Sequence, residues 1–196
     1  MLQADIERVT DRKPAVFFDD LPAVNHVVVI GALSTPLIKR LVNEKKIKVD
    51  DLVGKWEKYL LQVVENPFPN IKQALIITGS DKRAVLYAMF ELSAQIGVSP
   101  WTWWADVPVM KQSAIHILPG RYVFGEPAVK YRGIFINDEE PALGRWAVER
   151  YGGFTSPFYE RVFELMLRLK ANYLWPAMWW ASFNSEIGRA SCRERV

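Results

Sequence analysis

The sequence predicts an α/β fold built in two successive stretches. Three observations predict it. The runs HVVVIGAL and ALIITG are apolar and β-branched, without polar residues at every second position. Such runs fit strands covered on both faces. The second run leads directly into a helical pattern, SDKRAVLYAMFELSAQIG, and the strand-then-helix rhythm restarts at KYRGIFIN. Strands alternating with helices build layered α/β structures.

Taken in order, LQADIERVT reads as the closing turns of an amphipathic helix that starts before the first residue, and AVFF (15–18) as a short apolar run. HVVVIGAL is the first strand. In STPLIKRLVNE, Thr35 can cap a helix, Pro36 suits its first position, and Leu37, Leu41 and Val42 share one side. EKYLLQVV is a second strand, and NPFPN, with two prolines and two asparagines, is a loop. Ala74–Thr78 is a buried strand. Ser80 is expected to cap the next helix, with Asp81 at the favourable end of its dipole and Gly97 closing it. Val85, Met89, Leu92 and Ile96 give that helix an apolar stripe.

SPWTWWADVPVM reads as an aromatic connector. SAIHILPGRYVFGEPAV, with short alternating segments between Pro and Gly turns, is expected to form a β-ribbon leaving the first domain. The expected domains are therefore an α/β domain over 1–120 and a second unit over 121–186. In the second, Arg132–Ile136 is a strand. FTSPFYERVFELMLRLK is a helix capped by Ser156, with Pro157 first and Phe158, Val162, Leu165, Met166 and Leu169 inward. ANYLWPAMWW supplies the next strand and loop. That makes a β–loop–α–β unit with a parallel crossover.

Hydrophobic residues make up 50% of the 196 residues and charged residues 24%, an ordinary globular balance. No apolar run reaches the ~18 residues of a membrane span. No basic patch with interleaved aromatics suggests nucleic acid. The opening MLQADIERVTDRKP shows no signal peptide. The single cysteine, Cys192, supports neither a disulfide framework nor a metal cluster. His26 and His116 read as polar fillers in or beside strand-like runs. No metal or cofactor is expected.

Chemistry concentrates at two places. GIFINDEEP runs an apolar strand straight into Asn137, Asp138, Glu139 and Glu140. In parallel βα folds the loops leaving the strand C-termini form the working face. Amides and carboxylates there can bind sugar hydroxyls, hold a cation or transfer protons. A solvated acidic loop is the plainer alternative. LWPAMWWASFN sits at the same place after the next strand. Trp175, Trp179, Trp180 and Phe183 offer stacking faces there, and Asn184 a donor and an acceptor. ITGSDKRA is a strand, turn and helix start that could hold an anion. It matches no phosphate-loop pattern, so a plain connecting turn is the better reading.

KYRGIFINDEEPAL, with GGFTSPFYERVFELMLRLKANYLWPAMW and FN, resembles glycoside hydrolase family 115, the xylan α-1,2-glucuronidases, most nearly the fungal ones. ALIITGSDKRAVLYAMFELSAQIGVSPWTWWADVP resembles the end of that family's N-terminal α/β domain. The resemblance runs from Ile6 to about Asn184. It implies an α/β domain before a (β/α)8 barrel, here represented by the barrel's first βαβ portion. It also implies removal of glucuronic or 4-O-methyl-glucuronic acid from glucuronoxylan or its oligosaccharides, with inversion. Asn137, Asp138, Glu139, Trp179 and Asn184 are the implied sugar-binding residues. The acid and base are expected on later strands. A secreted parent is implied, a homodimer is left open, and neither nucleic acid nor membrane is a partner. The sequence departs from the family at Trp180, where glycine is usual, and at NSEIGR, where acidic residues and proline are usual. A free-standing carbohydrate-binding module and another barrel glycosidase, such as a hexosaminidase-like one, are the alternatives.

IGRASCRERV (187–196) reverse-translates to ATC GGA AGA GCG TCG TGT AGG GAA AGA GTG, which resembles a widely used short-read sequencing adapter. The tail is therefore expected not to be native, and the codon of Glu186 is in doubt. Arg189, Arg193 and Arg195 against Glu194 supply +2 of the formal +3, leaving +1 for the rest. A barrel takes about 250 residues, so a chain holding only its first two strands is expected to be inactive and prone to aggregate.

Overall fold

The computed structural model of the chain describes residues 1–18 and 20–184. The expected foreign tail, 187–196, lies outside them. The chain divides into two compact units, one ending at Ala128 and one starting at Val129.

The first unit holds α1 (Leu2–Thr10), β1 (His26–Ala32), α2 (Pro36–Asn43), β2 (Tyr59–Phe68), β3 (Ile71–Gly79), α3 (Lys82–Gln95) and β4 (Arg121–Phe124). The sheet order is β1-β3-β2-β4. β3 runs parallel to β1 and antiparallel to β2, which is also antiparallel to β4. On one face Val29, Ile38, Leu41, Leu52, Leu60 and Ile76 join a single core under α2. On the other, α3 packs on β3 and β2, with α1 behind it. β3 is thus covered on both sides, as its continuous apolar run requires.

Several expectations are corrected. β1 is covered on one face only: Val28 and Ile30 are 45% and 41% exposed, because α3 packs mainly over β3 and β2 and reaches little over this edge strand. In α2 the inward residues are Ile38 and Leu41, with Leu37 and Val42 at the margin. Thr35 precedes α2, but its hydroxyl donates to Ala32 O instead of capping. The cap of α3 is Asp81, whose Oδ1 accepts from Ala84 N at 2.8 Å. Ser80 Oγ instead accepts from Lys58 N at 3.1 Å. Within NPFPN, Asn66–Phe68 remain in β2, and only the tip turns. The expected ribbon does not leave the domain: Arg121–Phe124 pairs with β2 as the edge of the first sheet, which moves the boundary from 120 to 128.

The second unit contains β5 (Gly133–Phe135), α4 (Leu143–Tyr151), α5 (Ser156–Arg168) and β6 (Tyr173–Trp175). β5 and β6 pair in parallel, Gly133 with Tyr173 and Phe135 with Trp175. α4 occupies the stretch expected to be loop. Its apolar residues are few and interrupted by Arg, Glu and Gly, so no stripe stood out. In α5 the N-cap position is Thr155, not Ser156. Phe158, Tyr159, Val162, Leu165 and Met166 are buried, whereas Leu169 is exposed at the helix end. No helix among the described residues is long and apolar enough to cross a membrane.

Candidate functional site

Strand pleating sorts the residues around β5. Ile134 and Ile136 turn towards the helices, and Ile136 is buried. Phe135 and Trp175 turn the opposite way and meet edge to face at 5.6 Å, more than half exposed. Tyr131 and Tyr173 repeat the arrangement at 6.2 Å. One face of the two-stranded sheet is therefore packed, and the other is an open aromatic surface.

The ladder continues past β5 through Ile136 N, which donates to Trp175 O at 2.8 Å. The alternation then delivers Asn137 on the side of Phe135 and Asp138 on the side of Ile136. Asn137 is half-buried, and its Oδ1 accepts from Glu139 N at 3.3 Å, which shapes the turn. Asp138 is buried, at 2% exposure, although it follows a surface-bound strand end. Its Oδ2 accepts from Trp180 N at 2.7 Å, joining the loop after β5 to the loop after β6. Gly144, in the first turn of α4, closes over it: a Cβ there would lie 2.5 Å from Asp138 O. Glu139 and Glu140 are exposed.

Beyond β6, Trp179 and Trp180 are 76% and 84% exposed, so both indole faces are available for stacking. Phe183 is not free to stack, because its ring packs on Tyr159 at 4.9 Å. Asn184 is exposed. A cavity of about 450 Å³ lies between the start of α4, the α4–α5 turn and the β6 loop, with Asp138, Glu140, Thr155, Trp180 and Ser182 in its wall. Of the five expected sugar-binding residues, only Asp138 lines it. Asn137, Glu139, Trp179 and Asn184 belong to the exits of the same two strands but lie outside that wall.

Sequence reading passed over Tyr159. It is fully buried on α5, and among the described residues neither its hydroxyl oxygen nor Asp138 Oδ1 has a hydrogen-bond partner. Burial pushes its phenol up to about 12, the charge of Asp138 adds to the rise, and the Ala177 backbone opposes it. The Ala177 contact falls outside hydrogen-bond geometry. In sequence Tyr159 looks like any aromatic on a core stripe, and only its complete burial with an unmet hydroxyl sets it apart. Among the described residues no group of acidic, histidine or cysteine side chains is arranged to hold a metal.

The possible anion site at the start of α3 is filled from within. Asp81 offers one carboxylate oxygen to Ala84 N and the other to Glu57 N, both at 2.8 Å, and Arg83 pairs with the buried Glu57 at 2.8 Å. A protein carboxylate already occupies the place an anion would take.

Comparison with known proteins adds the lineage. Residues 124–192 match the family model described as glycosyl hydrolase family 115. The match covers the whole described second unit and runs on into the stretch expected to be adapter-derived. No curated protein matches the chain. Among solved structures, the chain is similar to BtGH115A, described as a novel family GH115 4-O-methyl-α-glucuronidase with specificity for decorated arabinogalactans. The TM-score is 0.76 at 33% identity, over 90% of this chain and 22% of that one. The likeness therefore takes in both units and about a fifth of the solved protein. With the resemblance at NDEEP and LKANYLWPAMW, these findings show that the chain belongs to glycosyl hydrolase family 115.

Proposed function

We propose that the chain is part of a larger enzyme that removes terminal glucuronic or 4-O-methyl-glucuronic acid from a plant polysaccharide, with inversion. β5 and β6 would be the first strands of its (β/α)8 barrel, and the exits of these strands one wall of the uronic-acid site. The observation that carries this reading is the Asp138–Trp180 hydrogen bond, which ties the polar turn after β5 to the tryptophan loop after β6. A sugar carries hydroxyls on its rim and apolar C–H faces, so a site for it needs amide and carboxylate groups beside aromatic rings. Asn137, Glu139 and Asn184 supply the polar groups, and Trp179 a ring. Asp138 serves from beneath by holding the turn.

An inverting enzyme needs an acid and a base set roughly 6.5–9.5 Å apart across the sugar. In this reading those carboxylates come from strands beyond the chain, and the 196 residues alone release no uronic acid. Glucuronoxylan and its oligosaccharides are the substrates the resemblance implies, and a secreted parent fits a polymeric substrate. Decorated arabinogalactan is the second reading, favoured by the specificity attributed to BtGH115A.

The test is to place Asn137→Ala and Glu139→Gln in the complete protein and assay an oligosaccharide bearing 4-O-methyl-glucuronic acid. Each variant is expected to lose roughly 10- to 100-fold in kcat/KM, the scale of one or two lost hydrogen bonds. Unchanged kinetics in both would remove this face from the site.

A further inference from the structure

The first unit carries an open groove of about 690 Å³, walled by α2, the turn after it and the β2–β3 connection. Its charged lining is Arg40, Lys46 and Lys72 against Glu44 alone, a net +2. Arg40 is oriented from within. Its guanidinium lies over the Phe68 ring at 5.3 Å, and its Nε donates to Glu44 Oε1 at 2.8 Å. Among the described residues its two terminal nitrogens are uncommitted, and neither Lys46 nor Lys72 has a carboxylate partner. The wall from β2 and β3 is stiff. Asn66 and Asn70 hold φ angles of 48° and 67°, Pro67 and Pro69 fix the residues beside them, and the ladder bulges between Glu65 and Phe68. Glycine would take those two angles more easily. Asparagine also brings an amide donor and acceptor, and among the described residues neither amide is spent on the protein. Phe68 is the one aromatic ring in the lining and is only 4% exposed, so none is open for stacking.

We propose that this groove binds a carboxylated sugar carried on a polysaccharide. The terminal nitrogens of Arg40 suit a carboxylate, and Lys46 and Lys72 add the charge that draws it in. The Asn66 and Asn70 amides suit ring hydroxyls. A neutral sugar finds no ring to stack on here and gains nothing from the charge. A simple anion engages the cations and leaves the amides idle. A volume of this size falls in the range of small-molecule sites. That the sugar belongs to the enzyme's own substrate rests on the function proposed above, whereas the preference for a carboxylated sugar does not.

The experiment is affinity electrophoresis of the complete protein through gels holding 4-O-methyl-glucuronoxylan or neutral arabinoxylan, each mobility normalised to a polymer-free gel. The acidic polymer is expected to retard the protein and the neutral one to do so far less. Lys46→Gln with Lys72→Gln changes two exposed side chains and is expected to weaken retention by the acidic polymer roughly tenfold. Asn70→Gly keeps the left-handed backbone, removes the amide and is expected to weaken it about threefold. Lys39→Gln with Lys45→Gln removes the same charge outside the lining and is expected to leave it within about twofold. Unchanged retention in the Lys46/Lys72 variant would overturn the proposal. So would equal weakening by the Lys39/Lys45 variant, which would mean diffuse charge, or equal retention by the neutral polymer. Release of the protein by sodium phosphate, at an ionic strength where sodium chloride has no effect, would reduce the groove to a simple anion site and overturn it too. Uronic acid release is measured alongside. Retention that depends on the groove without any release would keep the groove and reject the enzymatic reading, and release without a groove effect would do the reverse.

Discussion

Arg132 and Asn172 grip each other at the starts of β5 and β6. Arg132 N donates to Asn172 Oδ1 at 2.9 Å, and Asn172 N donates to Arg132 O at 2.7 Å. The Arg132 guanidinium then gathers the carbonyls of Lys170 and Val129, and Asn172 Nδ2 donates to Lys130 O at 2.8 Å. Residues 40 apart are thus stapled by one amide side chain, at the end of the sheet away from the candidate site.

Asn172→Ala removes the side-chain half of this staple and leaves part-buried backbone groups short of partners. A loss of about 1–3 kcal/mol is expected in the stability of the second unit. Chemical denaturation followed by the fluorescence of the second unit's tryptophans would read it. The proposed sugar-binding face lies at the opposite strand ends, so the complete protein carrying the change is expected to keep its kcat/KM wherever it stays folded.

Gly144→Ala places a methyl group against Asp138 O, a backbone atom that has little room to move. The expected cost is about 1–3 kcal/mol of overpacking. It should be joined by faster amide exchange at Trp180, because the hydrogen bond from Trp180 N ends on the same residue. Parent-like exchange and stability would show that the α4 turn is not packed down on the Asp138 loop.

Alkaline pH offers a third check. Tyr159 is held protonated in the folded chain up to about 12, against 10.0 when unhindered. Between those values the unfolded chain gives up the proton and the folded chain does not. The stabilisation is therefore complete below pH 10 and is lost as pH rises towards 12. Tyr159→Phe should flatten this part of the stability curve. It should not abolish the fall, since burial, then the charge and hydrogen bond of Glu91, also raise Tyr59. Thermal unfolding of both proteins at several pH values between 9 and 12 would show the difference.

How much was legible in sequence depended on how local each cause was. ALIITGSDKRAVLYAMFELSAQIG announced β3 and α3 because the hydrophobic period changes within it. The cap was misplaced by one residue, because Ser80 and Asp81 are both good caps, and the choice turns on Lys58 bonding to Ser80. β1 and β3 carry similar runs, yet only β3 is covered twice, since strand order is a tertiary fact. α4 escaped notice for lack of a stripe. At the site, a strand ending in Asn-Asp-Glu-Glu was enough to mark the turn. That Asp138 would be buried while Asn137 and Glu139 stay accessible followed from pleating and from the approach of Trp180. No local pattern signals that approach across 42 residues.

The most direct test of the account is to incubate the complete protein containing this chain with 4-O-methyl-glucuronoxylan and, separately, with a glucuronic-acid-decorated arabinogalactan, and to measure free uronic acid by chromatography. The 196-residue chain is carried alongside. The account predicts release by the complete protein from at least one polymer and none by the chain alone. Intact substrate in both reactions with the folded, complete protein, or uronic acid released by the 196 residues themselves, would contradict it.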